Sequence, residues 1–142
     1  MNKLQAKNIS MSFASAQDTV DVLTDISLVL YEGQSIGIIG SSGCGKTTLL
    51  QILAGLETPS EGTVFFNDIN LSANNKTQFT QLRSSLFGFV YQFHYLLEDL
   101  TIFENCELTF QILRSKDQAA NNQSILAIFD ELGISHLKDH YP

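Results

Sequence analysis

The chain has 142 residues, 44% of them hydrophobic, and a formal net charge of −7, enough apolar mass for one buried core and no composition that signals disorder or a disulfide scaffold. Its only arginines, Arg83 and Arg114, leave no basic stripe along which a nucleic-acid backbone could run, so DNA and RNA are not expected as partners. The two cysteines, Cys44 and Cys106, stand far apart as in proteins of reducing compartments, and no signal peptide or apolar run near the roughly 18 residues of a membrane span occurs.

In chain order, residues 4–12 and 20–30 read as strands, with apolar alternation in Ile26, Leu28 and Leu30 and a turn-rich 14–19 between them, an antiparallel opening. Residues 34–39 form a short continuous apolar run, the pattern of a strand buried on both faces. A helix over 46–56 carries Leu49, Leu50, Ile52, Leu53 and Leu56 and stops before Pro59. Residues 62–66 are a further strand, 74–84 a short helix or loop, and 86–91 (LFGFVY) an aromatic-rich strand that delivers Gln92 at its end. Thr101 with Glu104 three residues on is a capping box, so a helix should run to about residue 114, and a second should span 117–132 with Gly133 as its C-cap.

Between the apolar run and the first helix lies GSSGCGKT, residues 40–47, which fits the phosphate-loop pattern GxxxxGK[ST] in the strand-to-helix setting that the motif requires. Gly40 lets the backbone turn, and Gly43 and Gly45 permit the φ/ψ values that aim successive N–H groups at one anion. The helix N-terminus adds its unsatisfied amides and positive dipole end. Lys46 supplies a point charge for the β/γ-phosphate oxygens, and Thr47 the hydroxyl that such loops give to Mg²⁺. Cys44, a thiol near a helix N-terminus, reads as a small filler whose amide matters more than its sulfur. The chain is therefore expected to bind ATP with Mg²⁺.

The phosphate loop, the intervening LAGLETPSEGTVFFND and the glutamine after an aromatic strand together resemble the nucleotide-binding subunit of ATP-binding-cassette transporters, in order and spacing. The stretch QFHYLLEDLTIFEN, residues 92–105, looks most like the lipoprotein-releasing type, with the macrolide-exporter type next. The resemblance runs over nearly the whole chain. Glu98 and Thr109 depart from it, each standing where prolines are common. It implies an α/β fold, a P-loop NTPase core with an antiparallel β subdomain over residues 1–92 and an incomplete helical subdomain over 93–142.

It further implies that Ser42, Gly43, Cys44, Gly45, Lys46, Thr47 and Thr48 wrap the phosphates, with Gly40 and Ser41 opening the loop. Gln92 would touch Mg²⁺ or the attacking water and report the γ-phosphate, as a neutral amide with an acceptor and a donor can. Phe13 stands where the family stacks an aromatic ring on adenine. Phe93, Tyr95, Leu96 and Leu97 would help line the groove that receives a membrane subunit's coupling helix. His94 is given no chemistry.

The implied partners are integral membrane transporter subunits and a second ATP-binding subunit in a head-to-tail dimer. The implied place is cytoplasmic, peripheral on the inner membrane. The sequence ends at His140-Tyr141-Pro142, where the family's LSGGQ signature would begin, so these 142 residues alone are expected to bind ATP without appreciable turnover. A truncated, non-hydrolytic nucleotide-binding module is the alternative reading. Residues 125–131, ILAIFDE, imitate an apolar strand ending in Asp-Glu, but Ile125, Ile128, Phe129 and Leu132 recur at helical spacing, which predicts helix.

Overall fold

The computed structural model describes residues 1–15, 18–71, 86–112 and 117–142. The expected element at 74–84, together with Arg83 and Arg114, lies outside them. The described chain divides into two compact units, Met1–Phe87 and Gly88–Pro142.

The first unit is built on a four-stranded antiparallel sheet in the order β2-β1-β3-β4. β1 (Lys3–Ala14) and β2 (Thr19–Tyr31) form the expected opening hairpin, and β3 (Glu61–Phe66) and β4 (Ile69–Asn70) extend it on the far side of β1. Alternation along β1 buries Ile9 and Met11 on one face, where they join Leu23 of β2, Val64 of β3 and Leu71 in one core. Three leucine-family residues of helix α1 (Lys46–Leu53), Leu49, Ile52 and Leu53, complete that core. They recur at i, i+3 and i+4, the spacing that gives a helix one apolar stripe, and Leu50 off that stripe is exposed.

α1 ends three residues earlier than its apolar pattern predicts. Gly55 adopts φ 65°, its N–H donates to Ile52 O at 3.0 Å, and Leu56 N donates to Gln51 O at 2.8 Å. This pair of bonds caps the last carbonyls in a Schellman motif and turns the chain before Leu56 can continue the helix.

Two expected strands are corrected. Residues 34–40 belong to no ladder, and Ile36 and Ile39 are 51% and 94% exposed, with Ile38 alone resting against the core. Residues 87–91 likewise join no ladder among the described residues, and Val90 is fully exposed. Apolar character in a run of five or six residues reports a tendency to be buried as a strand, but the ladder itself needs a neighbour. No described strand pairs with either segment.

The second unit holds two helices, α2 (Ile102–Ile112) and α3 (Gln118–Glu131), followed by a 3₁₀ turn at Ser135–Leu137. The predicted capping box is present. Glu104 Oε2 accepts from Thr101 N and Thr101 Oγ1, both at 2.8 Å, and Thr101 Oγ1 accepts from Glu104 N at 3.2 Å. These bonds, the backbone one foremost, hold the Glu104 carboxyl below its ordinary pKa. Asp117 Oδ1 caps α3 by accepting from Ala120 N, and Gly133 closes it as expected, with Ile134 N donating to Phe129 O. ILAIFDE is thus helical. Ile125 and Phe129 are buried, Phe129 meeting the Phe103 ring edge-on, while Ile128 and Leu132 are exposed. Among the described residues no helix is long and apolar enough to cross a membrane.

Candidate functional site

The glycine loop and the start of α1 carry nine of the predicted residues, 40–48, in consecutive exposed or half-buried positions of the first unit. Gly43 and Gly45 take φ 80° and 90°, values that an L side chain would strain, as the anion-cradling reading requires. Gly45 is the N-cap of α1 with no side chain capping it, and the first turn contains no acid. The amides of Lys46, Thr47 and Thr48 therefore open toward solvent at the helix's positive end. A lysine at that end is unfavourable for a helix by itself, and becomes favourable when an anion sits between the ammonium and the amides.

Lys46 is folded back over the loop: its Nζ donates to Gly40 O at 3.0 Å and Ser41 O at 2.7 Å, and lies 3.8 Å from Cys44 Sγ. The ammonium thus rests where the loop's carbonyls hold it, beside the amide-lined face. Ser41, Ser42 and Thr47 are exposed and Thr48 is half-buried, so Thr47 is accessible to a cation. Donor set and geometry fit a polyphosphate and its Mg²⁺.

The loop's seat was not legible in the sequence. A Cβ on Gly45 would lie 2.8 Å from Leu23 Cδ2 and 2.9 Å from both Val22 Cγ1 and Val22 O, so the loop packs directly on β2. Val22 and Leu23 look like any other apolar strand residues, and only an irregular register, with Met11 opposite Leu23 and Ser12 opposite Asp21, marks the bulge where the loop rests.

That contact also locates Phe13. Along β1 it shares a face with Met11, whose cross-strand partner is Leu23, and it lies two residues, about 7 Å, further on. Phe13 is 45% exposed and paired with Val20, itself 54% exposed, so an aromatic and an aliphatic side chain stand together at the end of the hairpin, beyond the Leu23 that the loop touches.

Gln92 is exposed and belongs to the second unit. After it, Phe93, Tyr95, Leu96 and Leu97 are all exposed rather than core, and Glu98 and Asp99 follow at the surface. Tyr95 takes φ 49° and packs edge-on against Tyr91, whose ring stacks on Phe89. His94 Nδ1 accepts from Leu96 N at 3.3 Å, a structural bond, consistent with its having no assigned chemistry. Burial raises the Cys106 thiol above its ordinary pKa, whereas Cys44 is exposed.

Comparison with known proteins agrees with this geometry. The family model described as ABC transporter matches residues 23–142. The lipoprotein-releasing system ATP-binding protein LolD of Pseudomonas syringae pv. tomato is 38% identical over 139 residues, covering 98% of this chain and 61% of the relative. LolD of Saccharophagus degradans is 37% identical, with 98% and 60% covered. A dimeric ATP-binding cassette solved in a post-hydrolysis state with ADP and Pi superposes with a TM-score of 0.89 at 26% identity, covering 98% of this chain and 61% of that one. The chain spans about six tenths of the length of the relatives it matches. Its α/β fold is that of the ATP-binding cassettes, and the chain belongs to the ABC transporter family.

Proposed function

We propose that this chain forms the ATP-grasping part of a transport ATPase of the lipoprotein-releasing type, in which ATP binding and hydrolysis drive integral membrane subunits. The observation that carries the reading is Lys46 held over a glycine loop whose helix start is uncapped and free of acid. The relatives' names support the lipoprotein-releasing assignment.

On this reading Ser41, Ser42, Gly43, Cys44 and Gly45 surround the phosphates with backbone amides, and the amides of Lys46, Thr47 and Thr48 add the helix end. The Lys46 ammonium exchanges the carbonyls of Gly40 and Ser41 for β/γ-phosphate oxygens, a better electrostatic partner. Thr47 and Gln92 would hold Mg²⁺, which when bound neutralises charge on the transferring phosphoryl group. Phe13 offers its ring to adenine, with Val20 beside it.

The partners follow from the family: a second cassette, head to tail, and membrane subunits at the inner membrane's cytoplasmic face. The exposed apolar run of Phe93, Tyr95, Leu96 and Leu97 supports a protein-docking role for the segment after Gln92. Residues 1–92 would then be the nucleotide-binding core, and 93–142 the start of the helical subdomain that carries this surface.

The test is calorimetric titration of the chain with Mg·ATP. Lys46→Ala should lower affinity by about 100-fold while leaving thermal stability unchanged, because the lost bonds are charge-assisted and surface-placed. Equal affinity in the two proteins would refute the assignment of the loop.

A further inference from the structure

We propose that Asn105 is a positioning residue that locks the segment after Gln92 and the segment Lys138–His140 into one block. Its side-chain amide is at the centre of four hydrogen bonds. Oδ1 accepts from Leu97 N at 2.8 Å, and Nδ2 faces Leu97 O at 3.1 Å, Leu100 O at 3.0 Å and Thr101 O at 2.9 Å. Leu100 N also donates to Leu97 O at 3.2 Å, so the Asn105 side chain closes a turn that the backbone alone holds by one bond.

The same side chain acts on a second segment through a single peptide unit. The carbonyl of Thr101 accepts from Asn105 Nδ2 and from Asn105 N at 2.9 Å, and the N–H of that same Thr101–Ile102 peptide donates to His140 O at 2.9 Å. Phe103 N donates to Lys138 O at 3.0 Å. A peptide whose carbonyl is bonded at one end is a stronger donor at the other. The first amides of α2, which have no acceptor within the helix, are thereby satisfied by carbonyls 35 and 38 residues away. Removing the Asn105 side-chain donor leaves that carbonyl with its backbone bond alone, which loosens the peptide plane and weakens the bonds to the Lys138 and His140 carbonyls.

The block has something to hold. Tyr95 sits at φ 49°, a conformation that a bulky residue keeps only when its surroundings impose it, and the exposed side chains of Phe93, Tyr95 and Leu97 depend on it for their direction. That this ridge meets a membrane subunit rests on the function proposed above; the mechanical link through Asn105 does not.

Native-state hydrogen exchange on the whole chain tests it with Asn105→Asp, which keeps the size and an acceptor but replaces the donor nitrogen by an oxygen facing three carbonyls. Exchange at Leu97, Ile102 and Phe103 should accelerate by about tenfold, the worth of one hydrogen bond, while Leu132, the C-cap of α3 whose N–H donates to Ile128 O, stays protected. A structural role confined to the turn would move Leu97 alone, and unchanged exchange at Ile102 and Phe103 overturns the proposal. Should Leu132 lose protection too, the unit has opened, and the same amides are read in Asn105→Ser, which retains one donor, by the same criterion. ATP affinity measured on the same samples separates the two ideas: failure to bind ATP in both proteins sinks the transport reading and leaves the exchange result standing.

Discussion

Gly45 rests against Val22 so closely that a Cβ on the glycine would lie 2.9 Å from Val22 Cγ1 and 2.9 Å from its carbonyl oxygen. The carbonyl cannot rotate out of the way, since it belongs to the strand that supports the loop. Gly45→Ala combines that clash with φ 90° and should destabilise the fold by about 3 kcal/mol and abolish nucleotide binding. Gly43→Ala has a similar φ of 80° but nothing within 4 Å of its Cβ, and should cost about 1 kcal/mol. Urea denaturation of the two variants measures the difference, and equal losses would mean that the close approach to β2 is unimportant.

Phe13 tests the nucleotide reading from the base rather than the phosphates. Replacing it with alanine should weaken ATP binding by about 1–2 kcal/mol, the usual worth of base–aromatic stacking. Tripolyphosphate, which has no base, should bind the variant and the parent equally. Because the ring is 45% exposed, the melting temperature should hardly move. A parallel loss for tripolyphosphate would instead mean that Phe13 supports the loop.

What the sequence revealed divides along physical lines. Local chemistry was legible: GSSGCGKT announced the loop, Thr101 with Glu104 the start of α2, and Gly133 the end of α3, since each is decided by neighbours within one helical turn. The helical spacing of Ile125 and Phe129 outweighed the strand-like look of ILAIFDE for the same reason. Non-local facts were not legible. Ile36 and Ile39 have the composition of a buried strand, but burial is conferred by neighbours, and here both are exposed. Val22 and Leu23 gave no signal, and Asn105 entered only as the end of QFHYLLEDLTIFEN, because their structural roles exist only once Gly45, or the turn at Leu97, is brought against them.

The two thiols should report the nucleotide site independently. Cys106 is partly buried, which raises its pKa and keeps it protonated at neutral pH, whereas Cys44 is exposed beside Lys46. Iodoacetamide at neutral pH should modify Cys44 faster than Cys106 by about tenfold or more. Because the Cys44 sulfur lies against Gly40, where a Cβ would be 2.6 Å from it, the added group would stand at the phosphate loop itself, and the adduct should block ATP binding. Prior ATP should protect Cys44, as peptide mass mapping would reveal, and modification unaffected by ATP would place the nucleotide elsewhere.

Glu104 gives the chain a pH dependence whose direction is fixed by its bonds. Donation from Thr101 N, then from Thr101 Oγ1, lowers its pKa in the folded protein below the ordinary 4.5. A lowered folded pKa means that the carboxylate's contribution is complete above the unfolded value and is lost as pH falls through the folded one. Glu104→Gln keeps an acceptor but not the charge that favours a helix N-terminus. The parent should therefore be more stable than Glu104→Gln at neutral pH, by a margin that is constant above the ordinary carboxylate range and shrinks as the pH falls through the lower folded value. Comparing the two proteins cancels every other titrating group, and urea midpoints measured across that range give the margin directly. A margin that persists undiminished at the acid end would mean that it comes from packing, and that the charge on Glu104 is not what holds the first turn of α2.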